Sequence, residues 1–148
     1  MELSRRQVLA AGAALPLAVT GAASAARPPS GLPFAGRSWV VRSGTGGPGP
    51  NSWAGSLPSV DASGLHLRVA QVGGRWSCSE VFLTSPLGFG TYEWTFRVPP
   101  GGLDANVVLG LFTYETDARE TDIELARWGD VDGQAAEVVV TDFRFAAG

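Results

Sequence analysis

Glu120, Asp122 and Glu124 stand at alternate positions in the stretch Glu120-Thr121-Asp122-Ile123-Glu124. Residues two apart in an extended strand share one face, so this spacing gathers three carboxylates on one side of one strand. At about 3.3 Å per residue the outer two Cα atoms lie ~13 Å apart; long Glu side chains and a bend in the strand bring their carboxyls closer. Like charges on one strand face repel. One member of such a trio keeps its proton to higher pH and can serve as an acid. Retaining cleavage of a glycosidic bond needs two carboxyls about 5–5.5 Å apart, one as nucleophile and one as acid/base. Spacing alone describes an exposed acidic strand face equally well, able to hold a cation.

The elements that must position these groups read as strands. Alternation or β-branched and aromatic enrichment marks residues 38–42, 65–72, 76–83, 91–98, 106–114, 120–128 and 137–145. Turn signals separate them: Val72-Gly73-Gly74-Arg75, Pro86-Leu87-Gly88, Pro99-Pro100-Gly101-Gly102 and Asp130-Val131-Asp132-Gly133. Nothing beyond residue 25 predicts a helix longer than a turn. The expectation is an all-β sandwich. Along 106–114, Val107, Leu109 and Leu111 share a face and should enter the core. Asn106, Val108, Gly110, Phe112 and Tyr114 form the other face, whose mix of polar, small and aromatic groups suits a ligand surface. Along 120–128, Thr121, Ile123 and Leu125 are expected in the core. Ala126 and Trp128 share the face of the three carboxylates.

Composition narrows the function classes. The chain has 148 residues, 45% hydrophobic and 17% charged, with 20 Gly and 10 Pro. This is globular and turn-rich. The net charge is −3 and every basic residue is Arg; no basic patch stands ready to neutralise phosphates, which excludes a nucleic-acid partner. The lone Cys78 excludes an internal disulfide and a Cys-based zinc site. It is expected as a buried or cleft-edge thiol, since no base partner is near in sequence. The lone His66 falls on the polar side of 65–72 and is expected at the surface. Asp130-Val131-Asp132-Gly133 lacks the further ligands of a calcium loop and reads as a turn.

Residues 1–25 read as a twin-arginine export signal. Arg5-Arg6 precedes thirteen mostly apolar residues, too few to span a bilayer as a helix, and Ala23-Ser24-Ala25 supplies a small-x-small cleavage pattern. The expected localisation is secreted or extracytoplasmic, with no membrane partner after cleavage. Residues 26–35 read as a linker and 36–148 as the domain. Within it, the Gly- and Pro-rich stretch 43–50 reads as a loop.

Four segments carry a resemblance. Glu120-Thr121-Asp122-Ile123-Glu124 resembles the E-x-D-x-E signature of glycoside hydrolase family 16, the group of laminarinases, lichenases, agarases and carrageenases. Gly88-Phe89-Gly90-Thr91-Tyr92-Glu93 looks like the "Y-G-x-Y-E" strand that precedes the signature in bacterial lichenases. Leu111-Phe112-Thr113-Tyr114 looks like their "F-F-T-Y", and Ser79-Glu80 falls where the family has an "A-E" pair. Order and approximate spacing agree over residues 53–128. The resemblance implies a concanavalin A-like jelly-roll β-sandwich that cleaves a β-linked polysaccharide with retention. It implies Glu120 as nucleophile, Glu124 as acid/base and Asp122 as the assisting acid between them. It implies cleft positions for Glu80, Asn106, Phe112 and Tyr114, and Trp128 on the same face could stack on a sugar ring. Asn51 and Trp53 approximate a further Asn-x-x-Trp cleft element, one residue short in spacing. The chemistry needs no cofactor; a structural calcium ion is compatible with it, and a complete domain of this kind is expected as a monomer.

The departures are specific. Thr121 replaces the usual Ile or Val of the signature. Positions where the family often carries sugar-stacking Trp hold Asn106, Gly110, Ala118 and Arg119. The jelly roll is expected to lack its C-terminal part, since family domains continue for several strands beyond the catalytic one. Open edges beside an apolar face would then favour aggregation of the isolated chain and loss of turnover. The alternatives are a secreted carbohydrate-binding sandwich without turnover and an inactive or purely structural domain. The substrate is expected to be a neutral or weakly anionic glycan, because the Arg residues form no run.

Overall fold

The computed structural model describes residues 7–13, 31–99, 102–127 and 136–148. Among them there is no helix, and the strands form two sheets. The first contains β1 (Gln7–Ala13), β2 (Leu32–Phe34), β3 (Arg37–Val41), β9 (Glu80–Leu83), β11 (Val107–Thr116) and β12 (Arg119–Ala126), ordered β12-β11-β1-β9-β3-β2. The second contains β4 (Gly44–Gly46), β5 (Asn51–Trp53), β6 (Ser59–Asp61), β7 (Gly64–Val72), β8 (Arg75–Cys78), β10 (Gly90–Arg97) and β13 (Ala136–Ala147). Its order is β10-β13-β7-β8-β5-β4, with β6 paired to β7. The all-β expectation holds. Six of the seven strands expected from alternation form with small shifts at their ends, while the stretch 76–83, expected as one strand, is split at Ser79 into β8 and β9 of different sheets.

One apolar core is shared by both sheets. Leu65, Leu67 and Val69 point into it from β7, Val107, Leu109 and Leu111 from β11, and Val138, Val140 and Phe143 from β13. Period-two alternation places the sets of β7 and β11 each on one face, and the register shift in β13 between Val140 and Asp142 brings Phe143 to the side of Val138 and Val140. The Trp39 ring of β3 meets Phe143 edge-on across the layers, with centroids 5.2 Å apart. Cys78 is buried, with its thiol 3.3 Å from the Ser52 carbonyl oxygen.

The chain crosses between sheets at a single residue. β8 and β9 are consecutive but belong to different sheets, and Ser79 alone separates them. The Ser79 hydroxyl accepts from the Arg68 N–H at 2.6 Å and donates to the Arg68 carbonyl at 2.9 Å. A fully buried side chain thus supplies the ladder partner that the departing backbone withdraws.

Several expectations need correction. Leu32–Phe34, inside the stretch expected as linker, form a hairpin with Arg37–Val41. The stretch 43–50 contains β4, which pairs with Asn51–Trp53. Thr121, Ile123 and Leu125 do share the core-side face, because Leu111 stands opposite Ile123 and Leu109 opposite Leu125. They are exposed nonetheless, Ile123 at 54%. β12 is an edge strand, and no described strand of the other sheet covers its inner face. The half-buried Tyr92 and Trp94 of edge strand β10 line the same opening.

His66 is buried rather than at the surface. It sits on the outer face of β7, as alternation requires, but the β6–β7 turn and β13 close around it. Its Nδ1 lies 2.8 Å from a Glu137 carboxylate oxygen and its Nε2 2.9 Å from Asp61 Oδ1. Two carboxylates on opposite ring nitrogens favour the imidazolium, so the His66 pKa is raised, chiefly by Asp61. The Ser63 N–H and hydroxyl both donate to Asp61; the hydroxyl first, then His66, then the N–H hold that carboxyl well below the usual range. The turn needs Gly64. Its φ is +136°, and a Cβ there would meet the Val140 carbonyl.

Candidate active site

The β11–β12 hairpin sets the carboxylates in place. Its ladder pairs Glu120 with Tyr114, Asp122 with Phe112 and Glu124 with Gly110. Cross-strand partners share a face, so the two sets anticipated from alternation do lie side by side. The ladder shifts between Tyr114 and Thr116, an irregularity that increases local twist beside the turn at Asp117-Ala118.

Glu120, Asp122 and Glu124 form one wall of a cavity of about 590 Å³. Phe112 and Tyr114 continue that wall, and Phe82 of β9 joins them from the far side of β1. The register explains the arrangement. Glu80, Ala10, Gly110 and Glu124 occupy one row across four strands, and Phe82, Gly12, Phe112 and Asp122 the second row beyond it. At about 4.8 Å between neighbours, Glu80 and Glu124 stand ~14 Å apart along the sheet. The cavity is therefore a trough with acids at both ends and aromatic rings in its bed.

Glu80 closes the far end. It is buried and paired to Arg42, whose Nη1 donates at 2.6 Å. Burial pushes its carboxyl pKa up, and Arg42 pulls it back down. The guanidinium in turn lies 4.5 Å over the Trp53 ring, a cation–π contact that fixes its direction. Trp53 and Asn51 are both buried and act from beneath. Trp53 supports Arg42, and the Asn51 amide donates at 2.5 Å to the carbonyl of Pro48, whose loop forms part of the rim. These two residues, anticipated as cleft elements, hold the cleft without lining it.

The electrostatics single out Glu120. Its pKa is raised, first by partial desolvation and then by the charges of Asp122, Asp117 and Glu124. Asp117 also accepts from the Tyr114 hydroxyl at 2.8 Å, which raises the Tyr114 pKa. Desolvation and neighbouring charges thus hold the Glu120 carboxyl above its usual range, on the residue to which the resemblance gives the nucleophile's part.

Asn106 does not reach the cavity. It precedes β11, and its side chain and N–H both donate to Asp104 Oδ1, closing the turn before the strand. Val108, expected on the ligand face, is buried. Trp128 lies outside the described residues, as do Asp130 and Asp132. Arg42, Phe82 and Asp117 belong to the cavity and escaped the sequence reading. Asp117 was visible as an acid three residues before the trio. The other two join only through pairing between β3, β9 and β1, which no local pattern encodes.

A second depression, of about 580 Å³, lies on the outer face of the other sheet beside His66, Arg68 and Glu137. Within it Glu137 bonds both His66, at 2.8 Å, and Arg68, at 2.6 Å. It has the character of a structural clasp. Among the described residues no group of three His, Cys, Asp or Glu side chains is arranged to hold a metal ion. Compared with models of known families, with characterised proteins and with solved structures, the chain matches none.

Proposed function

We propose that this chain carries the catalytic face of a retaining β-glycosidase that acts on a neutral or weakly anionic polysaccharide, on a jelly-roll sandwich of the concanavalin A type. The observation that carries the reading is the shared wall. Three carboxylates on one strand face a trough bedded with Phe82, Phe112 and Tyr114. Sugar rings stack on aromatic faces, and acids at their edges take hydroxyl hydrogen bonds and perform the chemistry.

In the first half-reaction Glu124 gives its proton to the leaving glycosidic oxygen while the ionised Glu120 attacks the anomeric carbon. One C–O bond breaks and a glycosyl ester forms. In the second, Glu124 removes a proton from water, the water attacks the same carbon, and Glu120 leaves as carboxylate. Because the Glu120 pKa is raised, the acid limb of the rate profile is set by ionisation of this residue. Asp122, placed between the two, adds to that rise after desolvation. Export through a twin-arginine signal is part of the same proposal and fits a substrate too large to enter a cell.

One observation favours a second reading, a carbohydrate-binding sandwich without turnover. The strand that bears the carboxylates is an edge strand, so one side of the trough is open. The test is reducing-end release from β-glucans and β-galactans by the full chain. The open edge of β12 favours aggregation without turnover of the isolated chain; where the chain stays monomeric, turnover is expected and Glu124→Gln should lower kcat by roughly 10²–10⁴. Retained glycan affinity with no release by the unmutated chain would hand the function to the binding reading.

A further inference from the structure

The segment Gln7–Ala13 follows directly on Arg5-Arg6 in sequence, yet it is an interior strand of the sheet that bears the carboxylates. It runs parallel to β11 over its whole length, from Gln7 opposite Val107 to Ala13 opposite Thr113. It runs parallel to β9 as well, with Ala10 to Ala13 opposite Glu80 to Leu83. Residues 10–13 therefore have a strand on both sides.

Parallel pairing on both edges has a topological consequence. Neighbouring parallel strands cannot be joined by a tight turn. β1 can thus leave the sheet without opening any hairpin. The strands on either side are differently bound. β11 and β12 form a hairpin, and β9 is held by β3. Once β1 is withdrawn, the sheet falls into two parts, one with Arg42, Glu80 and Phe82, the other with Phe112, Tyr114 and the three carboxylates.

The gap also has a stated preference. Cα atoms of β1 lie within 8 Å of those of β7 and β8 in the opposite sheet, closer than the ~10 Å usual between packed sheets. The half of β1 paired on both sides, Ala10-Ala11-Gly12-Ala13, is uncharged and small throughout.

We infer that the gap between β9 and β11 is a strand-accepting site. Its ligand is an uncharged, small-residue strand in parallel register, and Gln7–Ala13 is the occupant in the uncleaved chain. The same segment then has two exclusive uses. Seated, it joins the two halves of the trough. Extended, it presents the apolar part of the leader to export and cleavage. The strand pairing does not rest on the glycosidase chemistry; the second use rests on the proposed export signal.

The experiment uses the full chain with a site-specific protease sequence inserted among residues 14–30, cut after folding. The N-terminal fragment should co-elute with the remainder on gel filtration and separate only in denaturant. Hydrogen exchange on the uncut chain should show amides 8–13 at least 100-fold slower than in a free peptide of the same sequence. A fragment that elutes alone, or amides that exchange at the free-peptide rate, would overturn the inference. Ala10→Pro removes a donor from a strand paired on both sides. It should raise exchange across residues 107–113 and 80–83, while Leu9→Ile leaves it unchanged. Equal protection in Ala10→Pro and the parent would also overturn it. Every readout is independent of glycan turnover, so failure here is distinguishable from failure of the proposed activity.

Discussion

Arg42 donates to Glu80 at 2.6 Å from a position over the Trp53 ring, so a residue of the first sheet's β3–β4 connection neutralises the buried acid at one end of the trough. Replacing Arg42 by Met leaves Glu80 buried without its cation. The expected cost is about 2 kcal/mol in chemical denaturation, at the low end for a broken buried pair because a third of Arg42 is exposed. The sign of the pH dependence follows. A carboxyl whose folded pKa is raised loses stability as pH increases through that pKa. The variant should be closer to the parent at pH 5 than at pH 8. Adding Glu80→Leu should recover most of the loss.

Leu109 and Leu125 are direct cross-strand partners of the same residue type, 0% and 36% exposed. Leu109→Ala should cost about 3 kcal/mol, since it opens a cavity in the core. Leu125→Ala should cost ~1 kcal/mol or less. Equal costs in a denaturation series would mean that the inner face of β12 is covered in solution.

His66 supplies a stability term with the same pH sense as that of Glu80. Its folded pKa is raised above the unfolded value of 6.5, first by Asp61 and also by Glu137. A raised basic group contributes fully below the unfolded pKa and loses that contribution as pH rises through the folded one. Thermal unfolding should therefore move to lower temperature as pH rises from about 6.5 upward. His66→Gln should flatten the slope in that window. A parent whose melting temperature is level from pH 6 to 9 would contradict the clasp geometry.

Asp122→Asn removes one of the like charges that raise the Glu120 pKa. The Glu120 carboxyl should titrate at lower pH in the variant, read by carbon NMR of labelled Glu side chains. The acid limb of any glycan-cleaving activity should move the same way. An unchanged Glu120 titration would show that the Asp122 charge does not reach Glu120, leaving desolvation, Asp117 and Glu124 as the causes of its rise.

Local pattern made much of this legible. Val107, Leu109 and Leu111 alternate with no exception, and the structure buries all three. Glu120, Asp122 and Glu124 share a face because strand geometry allows nothing else. What local pattern lacks is pairing. Whether Ile123 is covered depends on β12 being an edge, and Arg42 meets Glu80 only because β3 lies beside β9. His66 was misjudged for the same reason. Its face was correctly polar, but burial came from Asp61 across a turn and from Glu137 on a strand far along the chain. The short strands β2, β4, β5 and β6 carry three residues each, too few for a period to show.

Ala136–Ala147 pairs on one side with Gly90–Arg97 and on the other with the first half of Gly64–Val72. On a ribosome, β7 and β10 emerge long before the strand that joins them. The first sheet waits in the same way, since Gln7 meets Val107. Such non-local pairings defer most of the loop-closure entropy to the end of synthesis, which makes folding slow and leaves strand edges unpaired in the interval. The nascent chain is thus more vulnerable to aggregation than the finished one, and a chaperone that holds extended apolar segments should raise the yield without changing the final stability.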